Sequence, residues 1–225
     1  MDIKNIILFI VSALNFTLAS IIYLKNPKSG INISFGSVIL CAGIWSLGIA
    51  MFRYTNDVNI ALWWARIYYI AAGLIAFFFL FFSIIFPYKS FIITKAKVFA
   101  ILIPFLLVII IIFIPDFMIG EITINTPSNE VTLQSTYVIY TMYFLTYMAI
   151  GFFFLITKYA SSQGIHRIQL QYTLKATAAA TFFGATFNLI LPMLGNYKLI
   201  WLGPDFTLIT FAYMSYYLFF HKHNI

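Results

Sequence analysis

A few polar side chains that could bind a ligand lie within or beside long apolar stretches of the sequence. Arg66 and Trp63 share one stretch, Asn188 lies near the end of another, and Asp205 opens the last. An ionisable side chain inside a membrane span is a functional candidate because burying its charge is costly. We therefore predict an outward-facing pocket in which Arg66 pairs with Asp205 or binds an anionic ligand. Trp63 and Asn188 are further ligand-binding candidates.

Each polar candidate also has a purely structural interpretation. The Arg66 side chain can extend to the lipid headgroups, as long basic side chains near helix ends do. Asp205 follows Gly203 and Pro204, where a carboxylate can cap a helix. Asn188 can form a hydrogen bond between two helices. The residue types alone leave both interpretations open.

The sequence carries no pattern typical of catalysis or metal binding. It has no glycine-rich phosphate-binding loop, no zinc-ligand spacing, and no nucleophile with a matching base. The one cysteine, Cys41, lies in an apolar stretch and suggests neither a disulfide nor a redox pair. We therefore predict that the chain is not an enzyme and binds no metal or cofactor.

The composition indicates a polytopic membrane protein. Hydrophobic residues make up 63% of the 225 residues and charged residues 8%, whereas soluble domains are about 25% charged. A chain of this length has room for about seven spans and for no separate soluble domain of ordinary size. The net charge of +7 lies in turns, where it suits anionic lipid headgroups better than nucleic acid.

Seven apolar stretches are each long enough to cross a hydrocarbon core, which takes about 20 helical residues. They cover about residues 3–24, 33–52, 59–86, 98–114, 136–157, 168–191 and 200–220. The sequence therefore predicts an all-α membrane protein that forms a seven-transmembrane helix bundle. The longest connection, 116–135, contains two short β-prone runs around the turn 127–129. These runs predict a small extracellular β-hairpin, with an irregular loop as the alternative.

Charge asymmetry between the turns predicts the orientation of the bundle. All six acidic residues lie on one side with Lys4, Arg53, Arg66 and Lys198. The other side carries basic residues alone: Lys25, Lys28, Lys89, Lys95, Lys97, Lys158, Arg167, Lys175 and Lys222. Because basic loops stay in the cytoplasm, we expect the N-terminus outside and the C-terminus inside.

Small residues recur at four-residue spacing along the sixth predicted span. Ala176, Ala180 and Gly184 form a stripe that continues to Asn188. Such a stripe lets the backbone of a neighbouring helix approach closely. We therefore expect the first three residues to serve helix packing.

Several short motifs accompany the seven predicted spans. They are Trp45, the group Trp63, Arg66 and Tyr68, the run Arg167, Ile168 and Gln169, the end from Asn188 to Pro192, the pair Gly203 and Pro204, and a Tyr/Phe-rich exit into a basic tail. Together with the predicted topology, they resemble the N-terminal seven-transmembrane sensor region of bacterial and archaeal histidine kinases.

The resemblance implies a sensory input module in the plasma membrane that passes a signal to a cytoplasmic domain, often a kinase. Residues 1–222 would form the sensory domain and 223–225 the start of the cytoplasmic tail. Without an output domain of its own, the chain looks like a sensor cut from a longer receptor or one that signals through a partner. Membrane lipids, an unidentified small-molecule, peptide or lipid ligand, and a cytoplasmic signalling partner are implied, and a homodimer is left open.

Two other functions are alternatives to a receptor. A small membrane transporter or channel is the alternative, although the spans show no clear internal repeat of the kind found in many transporters. A retinal-based light sensor would need a lysine buried in the last span, and Lys198 and Lys222 only flank it.

Overall fold

The computed structural model describes residues 2–89, 94–126 and 128–220. These residues form seven helices, which confirms the predicted helical bundle. The helices are α1 Ile3–Lys25, α2 Gly30–Tyr54, α3 Val58–Ile85, α4 Lys95–Phe113, α5 Tyr137–Ser161, α6 Gly164–Met193, and α7, in which Leu202–Ser215 continues into the π-helical segment Tyr216–Phe220. The first six are each long and apolar enough to cross a membrane.

Helix α6 contains a π-helical segment, Thr186–Ile190, between a long α-helix and one last α-helical turn. Asn188 is the central residue of this segment. π-helical turns are rare and occur frequently at functional sites. The helix also begins at Gly164, about one turn before the predicted start, because Gln163 is still extended.

The odd-numbered helices run in the same direction. Helices α3 and α5 are parallel, because Tyr140 in α5 contacts Tyr69 early in α3 and Lys158 contacts Ser83 near its end. Helices α1 and α7 are parallel for a similar reason: Lys4 lies over the ring of Trp201, and Lys25 over that of Phe220. The alternation expected of seven crossings is therefore present.

Helix α2 lies at the centre of the bundle and α4 at its edge. Of the most apolar 18-residue stretch of α2, 72% is buried inside the bundle, compared with 17% for the corresponding stretch of α4. Close packing of α2 against α3 depends on Gly48, where an added Cβ would lie 2.8 Å from the Cβ of Tyr68. Helix α4 thus presents most of its surface outward, to lipid in a membrane.

The predicted β-hairpin is confirmed. Strands β1 (Ile119–Thr123) and β2 (Glu130–Leu133) pair antiparallel, with a bulge between Ile119 and Ile122. Ile122 and Val131 are opposite each other and buried, so one surface of the hairpin covers the end of the bundle. Pro127 in the predicted turn lies outside the described residues.

The hairpin and the N-terminus lie at the same end of the bundle, which we call the hairpin face. Asp2, at the N-terminus, and Ser128, beside the hairpin, both contact Arg53 at the end of α2. Lys25 and the end of α7 mark the opposite end, the basic face. The charge pattern predicts that the hairpin face is extracellular, and this assignment stays a prediction.

Candidate functional site

A cavity lies in the core of the bundle between α2, α3, α5, α6 and α7. Its atom-free space is about 830 Å³, a volume that includes open solvent at its mouth. Most of its lining is aromatic or aliphatic, with Trp45 from α2, Phe79 from α3, Phe144 from α5 and Phe211 from α7. Apolar cavities with a few polar groups are the usual form of small-molecule sites. We call this space the core cavity.

The core cavity is elongated along the bundle. Helix α6 lines it from Thr177 to Pro192, a rise of about 22 Å at roughly 1.5 Å per residue. Pro192 is at the hairpin face, whereas Thr177 lies past the middle of α6. The cavity therefore extends from the hairpin face deep into the bundle.

Three threonines in the lining have their hydroxyl protons engaged by their own helices. Thr177 donates to the carbonyl oxygen of Thr173 at 2.7 Å, Thr181 to that of Thr177 at 2.7 Å, and Thr207 to that of Pro204 at 2.8 Å. Hydroxyl oxygens keep acceptor capacity after donating. The threonines therefore add weak polarity to an otherwise apolar wall.

Asn188 brings an amide to the outer part of the core cavity. Its Nδ2 atom is buried and, among the described residues, has no hydrogen-bond partner. The amide packs against Gly203 of α7, where an added Cβ would lie 1.8 Å from Nδ2. A buried donor without a partner costs free energy, so Asn188 is available to a ligand acceptor.

Arg66 and Trp63 lie at a different place from the core cavity. The guanidinium carbon of Arg66 is 5.4 Å from the centre of the Trp63 ring and 5.3 Å from that of Phe113 in α4. This arrangement is a cation–π cluster between α3 and α4. Trp63 is 54% exposed, as expected for a side chain at a membrane interface.

Asp205 lies in the first turn of α7 and does not line the core cavity. Its Oδ1 atom is buried without a hydrogen-bond partner among the described residues. Within the described residues, the ion pair that forms joins Arg53 and Asp2. Arg66 and Asp205 do not form one. Ligand binding by Arg66, Trp63 and Asp205 stays a prediction.

The small-residue stripe of α6 borders the core cavity as well as α7. Ala180 and Gly184 are in the lining, and Ala176 is buried. A Cβ added to Gly184 would lie 4.0 Å from the methyl group of Thr207, which is an ordinary contact. The stripe therefore leaves space beside α7, and its role in helix packing stays a prediction.

A second space adjoins the core cavity under the hairpin, and we call it the vestibule. It is an open groove whose atom-free volume of about 640 Å³ includes open solvent, and it is lined by both hairpin strands, the end of α6 and the following loop. Pro192 and Tyr197 line both spaces. Burial first, and then the charge of Glu130, raise the pKa of Tyr197 to about 12. The Tyr197 phenol therefore stays neutral at physiological pH.

Sequence reasoning missed two basic residues that are buried at opposite ends of the bundle. Arg53, placed in an outer turn by the charge count, contacts Asn5, Asp2 and Ser128. Lys158, assigned to a cytoplasmic turn, donates to carbonyl groups at the end of α3. No local pattern distinguishes these residues from exposed basic residues near span ends.

Most of the core-cavity lining was also missed. One signal was available: Thr173, Thr177 and Thr181 recur at four-residue spacing in α6, beside the small-residue stripe. A polar stripe inside a membrane span indicates a face turned away from lipid. The aromatic lining gave no signal, because aromatic residues occur throughout the chain.

The long apolar helices of this bundle define a multi-pass membrane protein. Residues 7–222 match the family described as the N-terminal 7TM region of histidine kinase, and the chain belongs to this family. The family describes the sensor region of these kinases and not their catalytic domain. A search of curated proteins found no match.

Proposed function

We propose that this seven-helix bundle detects a signal in its core cavity and relays it through α7 to a cytoplasmic output such as a histidine kinase domain. The protein would act in the plasma membrane with its hairpin face outside. The observation that carries the proposal is that α7 lines the cavity through Thr207 and Phe211 and leads directly to the C-terminal tail. One helix thus connects the binding space to the basic face.

The relay requires two arrangements of the bundle that a ligand binds with different affinity. Near the basic face, α7 is held by ring contacts: Phe35 in α2 lies 6.1 Å from Phe211 and 5.8 Å from Phe219. Tyr172 in α6 stacks on Tyr217 at 4.0 Å. A shift of α7 at the cavity would have to repack these rings, and packed interfaces change between discrete states.

The tail residues that would pass the displacement on include Lys222 and His223, which lie outside the described residues. The π-helical segment Tyr216–Phe220 ends two positions before Lys222 in the sequence. Among the sequence candidates, Asn188 is the one that we propose as a ligand contact, because it lines the cavity.

A chimera tests the relay. The chain is fused through its C-terminus to a cytoplasmic histidine kinase domain, and autophosphorylation is measured in membrane vesicles. Thr207→Phe fills the cavity from α7, whereas Ile209→Phe adds bulk to a position that is 64% exposed on the same helix. We expect the first variant to change the rate at least about fivefold, the lower range of allosteric coupling, and the second to leave it unchanged.

Equal rates in the unmodified chimera and in both variants would contradict the proposal. A variant that fails to reach the membrane would be replaced by Phe211→Trp, which alters the same wall from the next turn of α7. A rate that ignored this change as well would remove α7 as the relay.

A further inference from the structure

We infer that the core cavity and the vestibule together bind a single-chain amphiphile, with its apolar chain in the core cavity and an uncharged or cationic head group in the vestibule. The inference rests on the proposed function for its biological role, since this amphiphile would be the signal. Its physical basis is independent and lies in the shape and polarity of the two spaces and in their adjacency.

The shape of the core cavity fits a chain better than a compact molecule. The cavity follows α6 for about 22 Å, from Pro192 to Thr177. Five helices contribute side chains to its wall. A flexible alkyl chain can follow such an elongated space along α6.

The polarity of the wall changes from one end to the other. The deep part is lined by Ile75, Phe79, Met148 and Phe211, and none of the described lining residues is charged. Burying a charge there without a partner would be costly. The deeper threonines of α6 donate their hydroxyl protons within their own helix, so the unpartnered polar group of the lining is the Nδ2 atom of Asn188 at the outer end. The cavity therefore matches a molecule that is apolar at one end and polar at the other.

The vestibule determines the charge of the head group. Glu130 is the charged side chain among the described residues that line it, together with the hydroxyl groups of Thr123, Thr132 and Tyr197. A carboxylate attracts a cation or a hydroxyl donor and repels an anion. An alcohol or an amine therefore fits this space, whereas a carboxylate or a phosphate does not.

The two spaces are close enough for one molecule to occupy both. Pro192 and Tyr197 form part of both walls, so the two spaces are adjacent at these side chains. Tyr197 is half-buried in the loop between α6 and α7.

Photolabelling tests this site without relying on signalling. The probe is octan-1-ol that carries a diazirine on its chain, added to membrane discs excised with a polymer, because detergents are themselves single-chain amphiphiles. Labelled peptides are identified by mass spectrometry. We expect labelling of the α3 and α6 segments that line the cavity, in addition to labelling of the exposed surface of α4.

Variants that fill the cavity separate specific from lipid-like labelling. Ala180→Phe fills the cavity from α6 and Ala72→Phe from α3, since both alanines are in the lining. Ala178→Phe is the matched control, because Ala178 is exposed on the same helix. We expect cavity labelling to fall at least tenfold in the two filled variants and to remain in the control. Equal labelling in all forms, or no cavity labelling in the unmodified protein, would overturn the inference.

Two further measurements identify the head group and the source. Octylamine should displace the probe and octanoate should not, so equal displacement by both would overturn the head-group assignment. A single-chain lipid retained by discs of the unmodified protein, but lost in Ala180→Phe, would identify the bilayer as the source. Discs without such a lipid, in which added octylamine still displaces the probe, would indicate a free molecule.

If the variants abolish labelling while the chimeric kinase ignores them, the binding site stands and the sensing function fails.

Discussion

Lys158 is a buried basic residue that closes the end of a neighbouring helix. Its Nζ lies 2.9 Å from the carbonyl oxygens of Ser83 and Tyr88 and 2.7 Å from those of Ile84 and Phe86, so its three N–H groups are shared among four acceptors. The last carbonyls of a helix have no partner within it and carry its negative dipole end. One ammonium group therefore stabilises the end of α3 and ties it to α5.

We predict that Lys158→Met destabilises the bundle by about 2–3 kcal/mol, since it removes charged hydrogen bonds and leaves buried carbonyls unpaired. The measurement is the thermal unfolding midpoint of the purified protein. Lys175→Met is the control, because Lys175 is exposed on α6 and its loss removes an equal charge. If both variants unfold at the same temperature as the unmodified protein, Lys158 does not stabilise the α3 end.

Arg53 connects three separate parts of the hairpin face. Its Nε donates to Asn5 at 2.8 Å, Nη1 to Ser128 at 2.8 Å and Nη2 to Asp2 at 3.2 Å. Asn129 adds hydrogen bonds to the carbonyl oxygens of Phe52 and Thr55 at 2.7 Å. The flat guanidinium fork reaches all three partners at once, which an ammonium group cannot do in the same geometry.

We predict that Arg53→Lys loosens the hairpin although it keeps the charge. Amide hydrogen exchange in β1 and β2 should become about tenfold faster, which corresponds to a loss of about 1.4 kcal/mol in local stability. Arg66→Lys is the control, because Arg66 lies against the rings of Trp63 and Phe113, and neither residue belongs to the hairpin. Unchanged exchange in Arg53→Lys would show that the hairpin is held by its apolar surface alone.

Contact between α6 and α7 depends on a close approach at one position. At Gly203, a Cβ would lie 1.8 Å from Nδ2 and 2.9 Å from Cγ of Asn188. The π-helical segment of α6 places Asn188 at this point. The two helices can therefore meet here only if position 203 has no side chain.

We predict that Gly203→Ala separates α6 from α7 at a cost of about 1–3 kcal/mol, as overpacking does. Gly184→Ala is the matched control, since its nearest neighbour would be 4.0 Å away. In the double variant Gly203→Ala/Asn188→Ala the clash with the amide is gone. The double variant should therefore lose less free energy of unfolding than the sum of the two single variants, by at least about 0.5 kcal/mol. Additive losses in unfolding measurements would show that the amide does not cause the strain.

The charge distribution predicts the orientation of the whole molecule in the membrane, and this orientation can be tested chemically. Cys41 is buried, so the unmodified protein should not react with a membrane-impermeant maleimide. We predict that Asn125→Cys, beside β1, is labelled in intact cells. Lys28→Cys, between α1 and α2, should react only after lysis. Labelling of the second variant in intact cells, with the first protected, would reverse the topology.

Much of the architecture could be predicted because it depends on composition along the chain. Each helix needs about 20 apolar residues to cross the membrane, and its turns need polar or basic residues, so the seven spans and their alternation follow from the sequence. The hairpin could also be predicted, since β-prone residues flank a turn in the longest connection. The start of α6 lies about one turn before the predicted start, because the backbone of Gln163 is extended and the helix begins after it.

The sequence by itself determined that the chain is a multi-pass membrane protein with a charged asymmetry between its two faces. Only the tertiary structure decided that Asn188 reaches the core cavity while Arg66 lies against Trp63 and Phe113. The physical reason is that lipid is as apolar as a packed protein interior. Both sides of a membrane helix therefore carry the same kinds of side chain, and its rotation is set by close packing with neighbours far away in the sequence.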